Sequence, residues 1–88
     1  MRSFEVYLNG KRLCTAGVQD DESLSVDVCH TPKETFMSVG GCTGAAGDFS
    51  KWIQLMSLNM GDEIRIKVTN TSQIDEPVSI ERGKLKKL

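Results

Sequence analysis

The chain contains no apolar run approaching the roughly 18–20 residues that a membrane-spanning helix requires. Its opening Met-Arg-Ser-Phe-Glu-Val-Tyr has no apolar stretch behind it, which argues against a secretory signal. The three cysteines, Cys14, Cys29 and Cys42, are odd in number and form no CxxC pair. Free thiols in a reducing, cytoplasmic setting, away from any membrane, are the expectation. Aromatic residues make up 6% of the chain, with one tryptophan, and there is a single histidine.

These shortages weigh against enzyme chemistry. Nucleophilic catalysis would need His30 near a Cys or Ser with an orienting carboxylate, and the lone histidine falls at a strand end. A zinc site from Cys14, Cys29, His30 and Cys42 has suitable ligand types, but Cys29 and His30 are sequence neighbours on a strand and point to opposite faces. No metal, cofactor or catalytic residue is assigned, and the protein is expected not to be an enzyme. Cys14 and Cys29 are both expected on outward faces, where a thiol could react.

Charge is scarce in one sense only. The formal net charge is −1, yet four of the eleven cations (Arg82, Lys84, Lys86 and Lys87) sit in the last seven residues. Residues 1–81 therefore carry seven cations against twelve carboxylates, a net of −5. An acidic body argues against nucleic acid as a partner, since phosphate binding needs clustered cations. Eighty-eight residues with 39% hydrophobic content suffice for one small domain, read as 1–81, followed by a basic flexible tail, 82–88.

What is present is strand patterning. In Leu58–Val68, the residues Ile64, Ile66 and Val68 alternate with Glu63, Arg65 and Lys67 behind a Gly61-Asp62 turn. This is the best-patterned strand, and the remaining segments read as its partners. Phe4, Val6 and Leu8 run into Asn9-Gly10, a strong hairpin signal. A two-residue turn pairs Leu8 with Lys11, Tyr7 with Arg12, Val6 with Leu13 and Glu5 with Cys14, and offers Tyr7 and Arg12 a cation–π contact.

Leu24, Val26, Val28 and His30 share one strand face, and Pro32 ends that run. Thr35–Val39 reads as a shorter strand, Gly40–Gly47 as a glycine-rich loop, and Thr69–Glu76 as a polar connector before a last edge strand beginning at Pro77. Between Asp48 and Met60, helical spacing of Phe49, Trp52, Ile53 and Met56 competes with alternation, so a short helical turn over Phe49–Ile53 followed by a strand is expected.

The fold class expected is all-β: a small antiparallel sandwich or open barrel of about six to seven strands. Its expected core is Phe4, Val6, Leu8, Leu13, Leu24, Val26, Val28, Met37, Val39, Trp52, Ile64, Ile66 and Val68. Function is not legible in any motif. The reading preferred is a protein-binding or regulatory module, of inhibitor or immunity type, acting through its acidic surface or an exposed strand edge. Asp20, Asp21 and Glu22 are the candidate acidic contacts. The alternative is small-ligand or carbohydrate binding by the loop glycines Gly41, Gly44 and Gly47 with Trp52 beside them. That loop matches no phosphate-binding fingerprint. A third reading is a structural subunit that self-associates through a strand edge.

Overall fold

A computed structural model describes residues 1–43 and 47–81; the basic segment 82–88 and residues 44–46 lie outside the described residues. Seven strands and no helix are found among the described residues: β1 (Arg2–Leu8), β2 (Lys11–Val18), β3 (Ser23–His30), β4 (Thr35–Thr43), β5 (Asp48–Leu58), β6 (Ile64–Asn70) and β7 (Ser79–Glu81). All pairings are antiparallel, in one sheet ordered β2-β1-β6 and a second ordered β3-β4-β5-β7. The shortest extent of the molecule is 17 Å, the thickness of two packed layers. It is a small β-sandwich.

Asn9 and Gly10 adopt φ of 52° and 84°, the left-handed pair that a two-residue hairpin of right-handed twist requires. Leu8 pairs with Lys11 and Tyr7 with Arg12, but a bulge follows, and Val6 then faces Cys14 and Glu5 faces Thr15. The cause lies in β2 itself. Turn parity alone would send Leu13, Thr15 and Gly17 inward, whereas Cys14, Ala16 and Val18 are the better core set. One extra residue, Leu13, reconciles the two. Cys14 is consequently buried at 5% exposure rather than outward, and Leu13 is not the partner of Val6.

β5 corrects two further expectations. The segment expected to hold a helical turn is strand throughout, and β4 runs on through Gly40 and Gly41, which are buried strand residues rather than loop. Two register shifts explain the helix-like spacing: Trp52 is extra between the pairs Val39–Ile53 and Gly40–Lys51, and Gln54 with Leu55 oppose Ser38. Bulges of this kind break strict alternation.

The core is Val6, Cys14, Ala16 and Val18 from one sheet against Met37, Val39 and Trp52 from the other. Of the other expected core residues, Phe4, Leu13, Leu24, Val26 and Ile64 are partly buried and pack against it, Leu8 is half-buried, and Val28, Ile66 and Val68 are 57%, 42% and 64% exposed. The last three have inward parity, but they lie on β3 and β6, whereas the core is drawn from β1, β2, β4 and β5. The best-patterned strand of the sequence is thus an edge strand.

The connector from β6 to β7 ties the layers together. Thr71 N–H donates to Ser3 Oγ (3.2 Å), and Ile74 packs against Gly17, where a Cβ would come within 2.5 Å of Ile74 Cγ2. Asp75 N–H donates to the Thr15 carbonyl (2.8 Å), its carboxylate accepts from Thr15 N–H (2.9 Å), and its carbonyl accepts from the Trp52 indole (2.7 Å).

Replacing Asp75 with Ala strands the N–H of buried Thr15 and should cost about 1–3 kcal/mol in chemical denaturation. Met37→Ala should cost about 2–5 kcal/mol, and Val68→Ala no more than about 0.5 kcal/mol. An equal loss for Met37→Ala and Val68→Ala would contradict the placement of the core.

Candidate functional site

The residues singled out in the sequence occupy different environments. Asp20 and Asp21 are exposed in the turn between β2 and β3, which Glu22 closes by donating its N–H to the Gln19 carbonyl (3.0 Å) and accepting Gln19 N–H on its carboxylate (2.9 Å). Gly47, with φ of 77°, is exposed in the turn before β5, and Gly44 lies outside the described residues. The pairs Ser23–Cys42 and Thr43–Asp48 bring both turns to the same end of the four-stranded sheet. Gly41 and Trp52 are not available there. Gly41 is buried in β4, where a Cβ would run into the Ser23 carbonyl, and Trp52 is 6% exposed with its indole N–H held by Asp75.

Cys29 and Cys42 are exposed free thiols. His30 Nδ1 lies 2.8 Å from Thr35 Oγ1 at the end of β3. Among the described residues no group of three His, Cys, Asp or Glu side chains is gathered to hold a metal ion. Burial pushes the Cys14 thiol up to about 11, and the negative charge of Asp75 adds to the shift.

A concavity of about 220 Å³ opens beside Asp27, Ser38, Gly40, Phe49, Lys51 and Gln54. The Phe49 ring lies over Gly40, where a Cβ would stand 3.1 Å from a ring carbon. Lys51 Nζ sits 5.7 Å from the Phe49 centroid and 3.4 Å from Glu81. The volume is below the ~300 Å³ at which small-molecule pockets usually begin. No buried side-chain N or O among the described residues lacks a hydrogen-bond partner, so the interior offers no unpaired polar group to a ligand.

The remaining feature is β6. Asn9 N–H donates to the Glu63 carbonyl (2.9 Å), which fixes which residues bond across to β1. Counting along the register, Arg65, Lys67 and Thr69 exchange their backbone hydrogen bonds with Tyr7, Glu5 and Ser3. The N–H and C=O groups of Ile64, Ile66, Val68 and Asn70 therefore point away from the sheet. Each outward-pointing backbone group of Ile66 and Val68 is accompanied by a side chain that the opposite sheet leaves exposed. The other face of the strand carries Arg65 and Lys67. Arg65 lies 4.6 Å from the Tyr7 ring, so Tyr7 stacks with β6 and not with Arg12, which bonds Thr15 and Asp75. The Tyr7 hydroxyl donates to Glu5 (2.8 Å), a bond that raises the phenol above its usual value.

This edge is hidden as a site in the sequence because its alternation reads as burial. The usable signal was Lys67 and Arg65 in the middle of the strand, the kind of charge that edge strands carry. No family model matches the chain, and no curated protein or solved structure is significantly similar to it.

A raised thiol pKa means that the unfolded chain loses its Cys14 proton first as pH rises. Stability from this group is intact below pH 9, the ordinary thiol value, and falls as pH approaches 11. Melting temperature should decline over that window, and Cys14→Ala should flatten the decline. At pH 8 an alkylating reagent should modify Cys29 and Cys42 and reach Cys14 only on unfolding. Equal reaction of all three thiols in the native state would contradict the burial of Cys14.

Proposed function

We propose that this chain is a non-enzymatic protein-interaction module that accepts an extended segment of a partner along β6. The observation that carries the reading is the coincidence, on one edge strand, of exposed Ile66 and Val68 with backbone groups that no strand among the described residues pairs. Backbone pairing supplies affinity in this mode of recognition, and the alternate side chains supply selectivity. An apolar row beside a cationic row of Arg65 and Lys67 selects a strand that alternates apolar with acidic residues.

The charge pattern also favours this edge over the acidic turn. Most carboxylates of the body are spread over turns and connectors, whereas β6 sets two cations on one strand face. An inhibitor or immunity-type protein in a reducing cytoplasm is one concrete form of such a module. The ligand-binding alternative loses its main support with Trp52 in the core and Gly41 in a strand.

A short synthetic peptide alternating valine and glutamate provides the test. In amide NMR spectra it should perturb Ile64, Ile66, Val68 and their β1 neighbours, and the effect should weaken as salt screens the charges. A peptide alternating valine and lysine should bind at least about tenfold more weakly. Perturbation confined to the acidic turn or to the concavity would contradict the proposal.

A further inference from the structure

We propose that the strand received by β6 is β3 of a second copy of this chain, so that copies join head to tail. The inference rests on the interaction-module reading and names its partner. β3 is the outer strand of the other sheet. The bond from Thr31 N–H to the Glu34 carbonyl (2.8 Å) fixes its register, so Ser25, Asp27 and Cys29 bond to β4. The backbone groups of Leu24, Val26, Val28 and His30 point outward, as do those of the even-numbered residues of β6.

Laid antiparallel with Asp27 opposite Lys67, the two edges match along their length. Ile66 meets Val28, Val68 meets Val26, and the ends of β6 meet His30 and Leu24, so every outward backbone group on one edge finds one on the other. Opposed residues share a face, and Ile66, Val68 and Val28, the exposed apolar residues of the two edges, cover one another. On the other face Glu5, Lys67 and Asp27 of the second copy alternate in sign, since Glu5 already lies opposite Lys67 within the chain.

Pairing like with like is poorer. β6 against β6 in the register that overlaps the whole strand sets Lys67 opposite Lys67, which is repulsive. β3 against β3 forms no ion pair and leaves Ile66 and Val68 uncovered. A joint between two different surfaces does not close on itself as a dimer, so copies add into a ring or an open row.

The test uses two edge-blocked variants of the full chain, Val28→Pro and Val68→Pro. Each removes an N–H that points outward and leaves the inner ladder intact. Mass is read by light scattering after size exclusion at concentrations up to about 1 mM, with emission of the buried Trp52 reporting the fold. Should a proline variant not fold, Val28→Lys and Val68→Lys replace the pair, because both positions are largely exposed.

The wild-type mass should rise with concentration, and each variant alone should stay at the 9.7 kDa of one chain. An equal mixture of the two variants should give a species of about twice that mass, because one intact β6 and one intact β3 remain. Association of Val28→Pro alone, or of Val68→Pro alone, would overturn the head-to-tail pairing. A wild-type chain that stays monomeric while the valine–glutamate peptide still perturbs β6 would overturn the second copy as partner but not the module. Absence of both would overturn the two together.

Discussion

Asp75 holds the two sheets in their relation to each other. It lies in a connector without regular structure, yet its backbone and carboxylate both bond Thr15 on β2, and its carbonyl takes the indole proton of Trp52 on β5. Arg12 adds an ion pair at 3.3 Å from the rim. A core of seven largely small or medium side chains gives a domain of this size little reserve. Three short hydrogen bonds converging on one residue, two of them to a backbone that would otherwise be an open strand edge, fix the packing that this core alone specifies weakly.

The same connector makes the molecule asymmetric. By crossing from β6 to the far side of its sheet, it covers the outer face at Ser3 and Gly17 and occupies the β2 edge at Thr15. Among the described residues nothing comparable covers β6 or β3. Edge strands of natural sheets are usually blunted by charge, proline or shortness. β6 is seven residues long and carries Arg65 and Lys67 on one face only, with exposed isoleucine and valine on the other. Charge on one face excludes indiscriminate pairing and at the same time sets the sign of an acceptable partner. An edge built this way discriminates between strands instead of repelling all of them.

The local turns and the all-β sandwich class were legible in the sequence, and which strands the second layer covers was not. Asn9-Gly10 and Gly61-Asp62 are turns for the reasons their residue types suggest, with Gly61 at φ of 91° and the Asp62 carboxylate accepting Asn59 N–H (2.7 Å). That backbone bond, with a second from the Asn9 side chain, holds the Asp62 carboxyl below its ordinary value. The faces of β3 and β6 also follow from period-two alternation. Bulges are invisible to that rule, so strict alternation sends Cys14 to the wrong face and gives β5 a partly helical spacing. Alternation also reports which face is apolar, not whether a second layer covers it. The alternation of Ile66, Val68 and Val28 therefore reads as core, and the exposed edge they mark emerges only from the sheet order. The importance of Asp75 was equally hidden, since nothing local distinguishes it from the other carboxylates of a polar connector.

Residue-resolved amide hydrogen exchange on β6, in dilute and in concentrated protein, addresses the central claim most directly. In dilute solution the amides of Arg65, Lys67 and Thr69 should be protected by β1 and those of Ile66 and Val68 should exchange rapidly. Raising the concentration should slow the second set alone. Slow exchange of Ile66 and Val68 already in dilute solution would mean that the edge is covered from within the chain, and would contradict its role as a docking strand.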